Sequence, residues 1–279
     1  ALGLSLLTVL GLFTGCSPKA ETASGSDSLK IVATIFPEYD WVRQVLGDRA
    51  GEVQLTLLLD SGTDLHSYQP TAADMLTIGE CDLFLYNGGE SDAWVERVLA
   101  TAANPDRRTL SVMEVLGDSV LEEEVVEGMQ EAEDHDHAEG EAHEEEADEH
   151  VWLSLRNART ACAEIARVLG ELDPDHAAEY QTNAENYMAE LEALDGEYAA
   201  LAENAARRTV LVGDRFPFRY LMDDYGLEYY AAFSGCSAEN EASFETIAFL
   251  SGKTEELALP CILTTESPQP GVAETIRSN

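Results

Sequence analysis

An α/β fold of two parallel-sheet lobes, bridged by one long helix, is what the 279-residue sequence predicts. Three observations carry this. Short apolar runs alternate with helical segments from residue 28 to 89, and such alternation builds parallel sheets covered by helices. The same alternation returns from 209 to 277. Between the two sets runs a stretch rich in Ala, Glu and Leu with no proline. Some 30 residues of helix would be about 45 Å long, more than an ordinary domain helix and suited to a spine between lobes.

The N-terminal lobe is assigned to 29–172. Residues 28–35 (SLKIVATI) read as a first strand that Pro37 ends, and 39–46 as a helix closed by Gly47. A second strand follows at 53–59, then the loop Ser61-Gly62-Thr63-Asp64-Leu65-His66. Residues 71–79 read as a short helix with Thr71 as N-cap and Asp74 at the third helical position, a weak capping box. The third strand, 82–86, is ended by Asn87-Gly88-Gly89. Residues 121–149 hold 15 acidic residues, no Lys or Arg, and His135, His137 and His143. With no apolar periodicity, this stretch reads as a disordered loop. Order resumes at Val151-Trp152-Leu153, and 157–169 reads as a helix ending at Gly170.

Asp173-Pro174-Asp175 caps the linking helix, 173–206. On it Tyr187, Leu191, Leu194, Tyr198 and Leu201 recur at spacings of three and four, one helical face. Gly196 is its weak point. The C-terminal lobe, 207–279, reads as strand 209–212, helix 218–225, strand 229–233, helix 243–250, strand 261–265 and helix 272–277. The lobe is expected to be cut short at that last helix.

Composition narrows the partners. With 16 Lys+Arg against 54 Asp+Glu the formal net charge is -38. Without the acidic loop it is still about -23, so the folded part is acidic in its own right. Nucleic acid is excluded because its phosphates need Lys and Arg. Docking on an anionic membrane face is excluded for the same reason. Cations and basic surfaces remain.

Residues 1–15, ALGLSLLTVLGLFTG, are apolar or small throughout. A membrane span takes about 20 residues, so this matches the apolar core of a secretory signal peptide instead. Gly15-Cys16 after the apolar run resembles a bacterial lipobox. Cys16 would then be lipidated, and 16–28 would be a polar, Ser-rich tether. No other stretch is long and apolar enough to span, so membrane contact is expected only through the lipid. Cys81, Cys162, Cys236 and Cys261 are widely spaced with no CxxC, so no cysteine zinc site is expected. Outside the cytoplasm a Cys236–Cys261 disulfide is allowed, and free buried thiols are the alternative.

Three segments hold candidate chemistry. Gly62-Thr63-Asp64-Leu65-His66-Ser67-Tyr68-Gln69-Pro70 places a His on a loop after a strand, where α/β folds bind ligands. Asp148-Glu149-His150-Val151-Trp152-Leu153 places another at the mouth of an ordered segment. Gly213-Asp214-Arg215-Phe216-Pro217-Phe218-Arg219-Tyr220 again follows a strand.

Together with Ala33-Thr34-Ile35-Phe36-Pro37, Asp82-Leu83-Phe84-Leu85-Tyr86-Asn87-Gly88 and Tyr225-Gly226-Leu227, these segments resemble one family over residues 30 to 279. It is the zinc- and manganese-binding substrate-binding lipoproteins of bacterial ABC metal importers. A His/acid loop directly before the second segment is typical of its zinc-binding branch. The resemblance implies two α/β lobes bridged by a long helix, with the metal in the cleft. It implies Zn2+ as transported ligand, with Mn2+ as the alternative. It implies an ABC permease as partner, an extracytoplasmic protein anchored by lipidated Cys16, a monomer, and no catalysed reaction. A metal-dependent adhesion role is a further alternative. A zinc hydrolase is disfavoured because no HExxH occurs.

The resemblance makes His66 and His150 metal ligands. The family's third ligand, a His or Glu three residues before Phe-x-Tyr, falls here on Arg215, which is permanently protonated and cannot ligate. Asp214 is the expected replacement, with Arg215 turned away or paired to a carboxylate. Glu239, Glu241 and Glu266 are weaker candidates. The family's fourth ligand, a C-terminal Asp, is expected in a region this chain lacks. The acidic loop, with His135, His137 and His143, would form an auxiliary set of loose metal sites.

Overall fold

Four parallel strands in the order β2-β1-β3-β4 form the first sheet of the computed structural model. The structure describes residues 28–60, 62–100, 103–130, 146–237, 241–265 and 271–278. The strands are β1 (Lys30–Ala33), β2 (Gln54–Leu57), β3 (Leu83–Tyr86) and β4 (Arg108–Ser111). In register, Ile31 stands beside Leu55 on one side and Leu83 on the other. The central strands β1 and β3 are continuous apolar runs because helices cover both faces.

Helix α1 (Phe36–Leu46) begins earlier than the sequence suggested. Pro37 sits in its first turn, where a missing N–H costs nothing, and so starts the helix instead of merely ending the strand. Helix α2 (Ala72–Glu80) follows the expected Thr71–Asp74 capping box. Helices α3 (Val95–Leu99) and α4 (Val112–Leu116) flank β4. None of these three elements was predicted. Helix α5 (Leu155–Leu172) runs through Gly170.

After a short 3-10 turn, Pro174–His176, comes the linking helix α6 (Ala177–Glu203). Its first half packs on α1 and α5, fixed by Tyr180 Oη to Asp173 (2.7 Å) and by Asn183 Nδ2 to the carbonyl of Val45 (3.0 Å). The expected apolar face is only half buried. Leu191 is in the core, whereas Leu194, Tyr198 and Leu201 are 40%, 41% and 69% exposed. Past Leu191 the helix leaves the first lobe. Tyr198 stacks on Tyr225 at 5.5 Å, and Asp195 accepts from Tyr225 Oη at 2.9 Å.

The second lobe has a two-stranded parallel sheet, β5 (Thr209–Phe216) and β6 (Glu228–Ser234), with helix α7 (Arg219–Tyr225) between them. Helices α8 (Phe244–Glu256) and α9 (Gly271–Ser278) follow. Strand β5 extends beyond the predicted 212 to Phe216, through an irregularity between Val212 and Arg215. The predicted strand at 261–265 is reduced to one bridge, Leu263 beside Val212.

The acidic loop also differs from expectation at both ends. Residues 121–130 and 146–149 are ordered, with Glu122 bridged to Ala147. Val126 and Met129 pack into the second lobe's core beside Val212 and Tyr229, and Gln130 N donates to the carbonyl of Ala232 (3.0 Å). A few apolar residues inside an acidic run sufficed to dock it, and this arm crosses to the C-terminal lobe. His135, His137 and His143 lie outside the described residues, as do the signal segment 1–15 and Cys16. Among the described residues no helix is long and apolar enough to cross a membrane.

Candidate metal centre

The loops leaving the C-terminal ends of β2, β3 and β6 converge in the cleft, the place where open α/β sheets bind ligands. His66 stands on a 3-10 turn, Leu65–Ser67. Asp64 caps that turn by accepting from the His66 N–H at 3.1 Å. Buried Leu65 and Tyr68 peg the turn into the core, where Tyr68 packs edge-on against Trp94. The ring is then oriented from behind. His66 Nδ1 lies 2.9 Å from Ser91 Oγ and 3.4 Å from Glu149 Oε2. Ser91 Oγ itself donates to Glu149 Oε2. Ser91 Oγ therefore accepts from His66 Nδ1–H, and the lone pair of His66 is on Nε2.

His150 precedes a second 3-10 turn, Val151–Leu153, and is 4% exposed. Asp148 Oδ1 accepts from both the backbone N–H and Nδ1 of His150, each at 2.9 Å. This leaves the His150 lone pair on Nε2 as well. The turn is held from both lobes. Asn87 Nδ2 donates to the carbonyl of Glu149 (2.8 Å), and Tyr220 Oη of α7 donates to the carbonyl of Asp148 (2.7 Å). Gly89 lies so close that a Cβ there would fall 2.3 Å from Glu149 Oε1, and its φ of 81° favours glycine independently.

The two Nε2 atoms stand 3.3 Å apart. With both Nδ1 atoms acting as donors, two lone pairs face each other, and only a shared positive charge, a proton or a metal ion, makes that arrangement favourable. Two imidazole nitrogens bound tetrahedrally to zinc at about 2.0–2.1 Å are about 3.3 Å apart. The spacing in place is compatible with both nitrogens binding one zinc ion. A carboxylate behind each imidazole is the usual support of a metal-bound histidine.

The charges around the pair agree. Burial alone would raise Glu149, but its bonds from His66 and Ser91 outweigh burial and hold it below the usual carboxylate range. Asp92 goes the other way: burial lifts it to about 6, opposed by the Gly88 N–H and reinforced by the charge of Glu149.

Among the described residues, one further ligand atom meets the pair. Cys236 Sγ and one nitrogen of each histidine lie within 4.8 Å of one another. Cys236 sits in the turn after β6, and Glu123 accepts from its N–H at 3.2 Å. The turn comes this near because residue 235 is glycine. A Cβ there would be 2.7 Å from His150 Cε1. The described cysteines are free thiols, so the Cys236–Cys261 disulfide is not formed, and Cys236 stands beside the histidine pair although no CxxC occurs. The signal was present in the sequence. Ser234-Gly235-Cys236 is a ligand type on a Gly-containing turn after a strand, as is Gly62 to His66.

Asp214 is placed elsewhere. Its Oδ2 accepts from Thr265 Oγ1 (2.7 Å) and Thr265 N (3.3 Å), its Oδ1 accepts from Arg215 N (2.9 Å), and it does not join the converging group. The reason is that β5 continues through residues 213–216, which fixes Asp214 against the neighbouring segment where the sequence suggested a free loop. Arg215 pairs across the cleft with Asp64 at 3.1 Å, the expected carboxylate partnership. Of the weaker candidates, Glu239 and Glu266 lie outside the described residues, and Glu241 is exposed with its carbonyl accepting from Gln130. A cavity of about 260 Å³ between β4, α4 and α5 shares no residue with this centre; a single cation needs no such volume.

Comparison with known proteins places this geometry. The family model for zinc-uptake complex component A, periplasmic (ZnuA), matches residues 31–279. The zinc-binding lipoprotein AdcA of Streptococcus pneumoniae serotype 4 is 32% identical over 275 residues, 99% of this chain and 52% of that protein. The high-affinity zinc uptake system protein ZnuA of Bacillus subtilis is 30% identical over 262 residues, 94% of this chain and 78% of that protein. The chain thus spans about half the length of the AdcA relatives. The crystal structure of the Zn(II)-bound ZnuA-like domain of Streptococcus pneumoniae AdcA superposes with a TM-score of 0.68 at 28% identity, over 90% of this chain and 84% of that one.

Proposed function

The chain belongs to the family of periplasmic zinc-uptake component A, and from that premise we propose that it captures Zn2+ outside the cytoplasm and hands it to an ABC permease. His66 and His150 are the primary ligands. The cargo is bound and released, and no bond of a substrate is made or broken. The observation that carries the reading is the pair of Nε2 lone pairs facing each other at 3.3 Å, each ring locked from behind by a carboxylate. Imidazole suits zinc better than manganese, which prefers an oxygen-rich set.

Lipidation of Cys16 would hold the monomeric chain at the membrane surface. The acidic loop, with His135, His137 and His143, would add loose, exchangeable sites. The net charge of -38 raises local cation concentration and speeds capture, less so at high salt.

Metal analysis of the protein purified without added metal, followed by competition titration, tests the reading. One tight equivalent of zinc, lost in His66→Ala and in His150→Ala, is expected. Tighter binding of manganese than of zinc, or unchanged stoichiometry in either variant, would overturn it. In cells, deleting the chain should impair growth in low zinc and leave manganese uptake unchanged.

A further inference from the structure

We propose that Cys236 is the third protein ligand of the cleft, and that its sulfur makes the site select zinc over manganese. The inference rests on the reading of His66 and His150 as the zinc-capture pair.

Four observations converge on it. Cys236 Sγ lies within 4.8 Å of a nitrogen of each histidine, and among the described residues no other His, Cys, Asp or Glu completes such a group. The carboxylate that sequence pointed to, Asp214, is committed to Thr265. The turn bearing the thiol is anchored at the Cys236 N–H by Glu123 Oε1 (3.2 Å), and Glu123 N is itself bonded to the carbonyl of Glu146 (2.7 Å). Gly235 removes the side chain that would hold this turn off His150.

The chemistry follows from the donor set. A thiolate is a soft ligand that zinc accepts at about 2.3 Å, whereas manganese favours carboxylate, carbonyl and water. As the Zn–S bond forms, the S–H bond breaks and its proton leaves to solvent. Two nitrogens and one sulfur leave a fourth tetrahedral position for water or a further residue. The histidines belong to the first lobe and the cysteine to the second, so the ion draws the two lobes together. Release then needs only the turn after β6 to withdraw.

Cobalt(II), a spectroscopic stand-in for zinc, provides the test. The background is the full chain with Cys261→Ser and Cys16→Ser, since Cys81 and Cys162 are buried. Cobalt should give a sulfur-to-cobalt charge-transfer band in the near ultraviolet, and zinc should protect Cys236 from alkylation. Cys236→Ser should lose that band while keeping the visible ligand-field bands. It should also weaken zinc binding by at least the hundredfold, about 2.8 kcal/mol, that loss of a mere supporting bond can reach. Manganese affinity should change far less, so the zinc-to-manganese ratio collapses. Cys236→Ala, with a thermal melt, confirms that the loss is not unfolding. Ligand-field bands with no sulfur band, together with full zinc affinity in both variants, would overturn the assignment of Cys236 and leave the histidine pair standing. Binding that survives His66→Ala with the sulfur band intact would instead refute the histidine pair.

Discussion

Gly235→Ala tests how tightly the two lobes meet at the centre. The new Cβ would lie 2.7 Å from His150 Cε1, 3.0 Å from His150 Nδ1 and 3.0 Å from the carbonyl of Phe216. The ring has little room to retreat. It is 4% exposed, its Nδ1 is bonded to Asp148 at 2.9 Å, and it packs against Trp152 at a centroid distance of 5.3 Å. The Phe216 contact is backbone. The strain must therefore go into the 234–237 turn, which moves away from His150. Overpacking of this kind costs about 1–3 kcal/mol. Without metal the turn can shift and relieve most of it; with metal it must come back toward the histidines. Most of the cost then falls on the bound state, an affinity loss of about 5- to 150-fold at 1.4 kcal/mol per decade. Competition titration with zinc measures the loss, and a thermal melt of the metal-free protein measures what falls on the fold. Gly196→Ala is the control, since nothing lies within 4 Å of its Cβ position. There, better helix propensity should add up to about 1 kcal/mol and leave affinity unchanged. If Gly235→Ala binds zinc within about twofold of wild type and melts at the same temperature, the close approach of the β6 turn to His150 is wrong.

Further outcomes follow from the same geometry. Asp148→Asn removes the charge behind His150 and should weaken zinc binding by about 10–100-fold with little change in melting, as read by titration and calorimetry. Glu38→Gln should stabilise the protein increasingly as pH rises from 4.5 to about 8. Burial, aided by the charge of Asp92, raises the Glu38 carboxyl from 4.5 to about 8. A raised carboxyl means that the folded state binds the proton more readily, so its stabilising share is full below 4.5 and is lost as pH rises through about 8. Melting of Glu38→Gln should then exceed wild type at about pH 8.5 and match it near pH 4.5; equal curves at both would refute the shift. Replacing 131–145 with a neutral Gly/Ser linker of equal length should lower total zinc equivalents and leave the tight site and the melt intact. Removing 122–147 should instead destabilise the second lobe, because Val126 and Met129 leave its core.

The parts of the fold legible in sequence were those set by local rules. Alternating apolar runs gave β1, β2, β3 and β6, and the Thr71–Asp74 capping box marked the start of α2. Helices α3 and α4 were not legible because five residues leave too few periods to read, and strand β4 was not because Arg108–Ser111 carries a single apolar residue, Leu110. The apolar face of α6 was read correctly as a pattern, but pattern alone does not say what covers it. Leu201 keeps the spacing and is 69% exposed. The acidic loop was misjudged at its ends because composition averages over a window, and Val126 and Met129 dock individually.

The candidate centre divides in the same way, and the division explains why the third ligand we propose is not on the strand the sequence pointed to. His66 and His150, which we propose as ligands, were visible because each stands in a local segment with an acidic residue two positions before it, Asp64 and Asp148. A third ligand from the other lobe depends on how far β5 runs and how near β6 comes, which no local pattern encodes. Where the sequence resemblance implied a third ligand, this chain has Arg215, and an unpaired guanidinium there would repel a dication. Its pairing with Asp64 offsets that charge, and the pair ties β5 to the His66 turn. Both partners are exposed by more than a third, so the pair contributes at most about 1 kcal/mol to stability. Its larger consequence is positional. With Arg215 drawn to Asp64 and Asp214 drawn to Thr265, the further ligand atom that meets both imidazoles among the described residues comes from the end of the adjacent parallel strand, at Cys236. Arg215→His would place a ligand nitrogen at the position the resemblance implied. In a Cys236→Ser background it should recover part of the lost zinc affinity, while Arg215→Ala in that background should not. Recovery by Arg215→Ala to the same extent would show that relief of charge, and not a replaced ligand, is what the position controls.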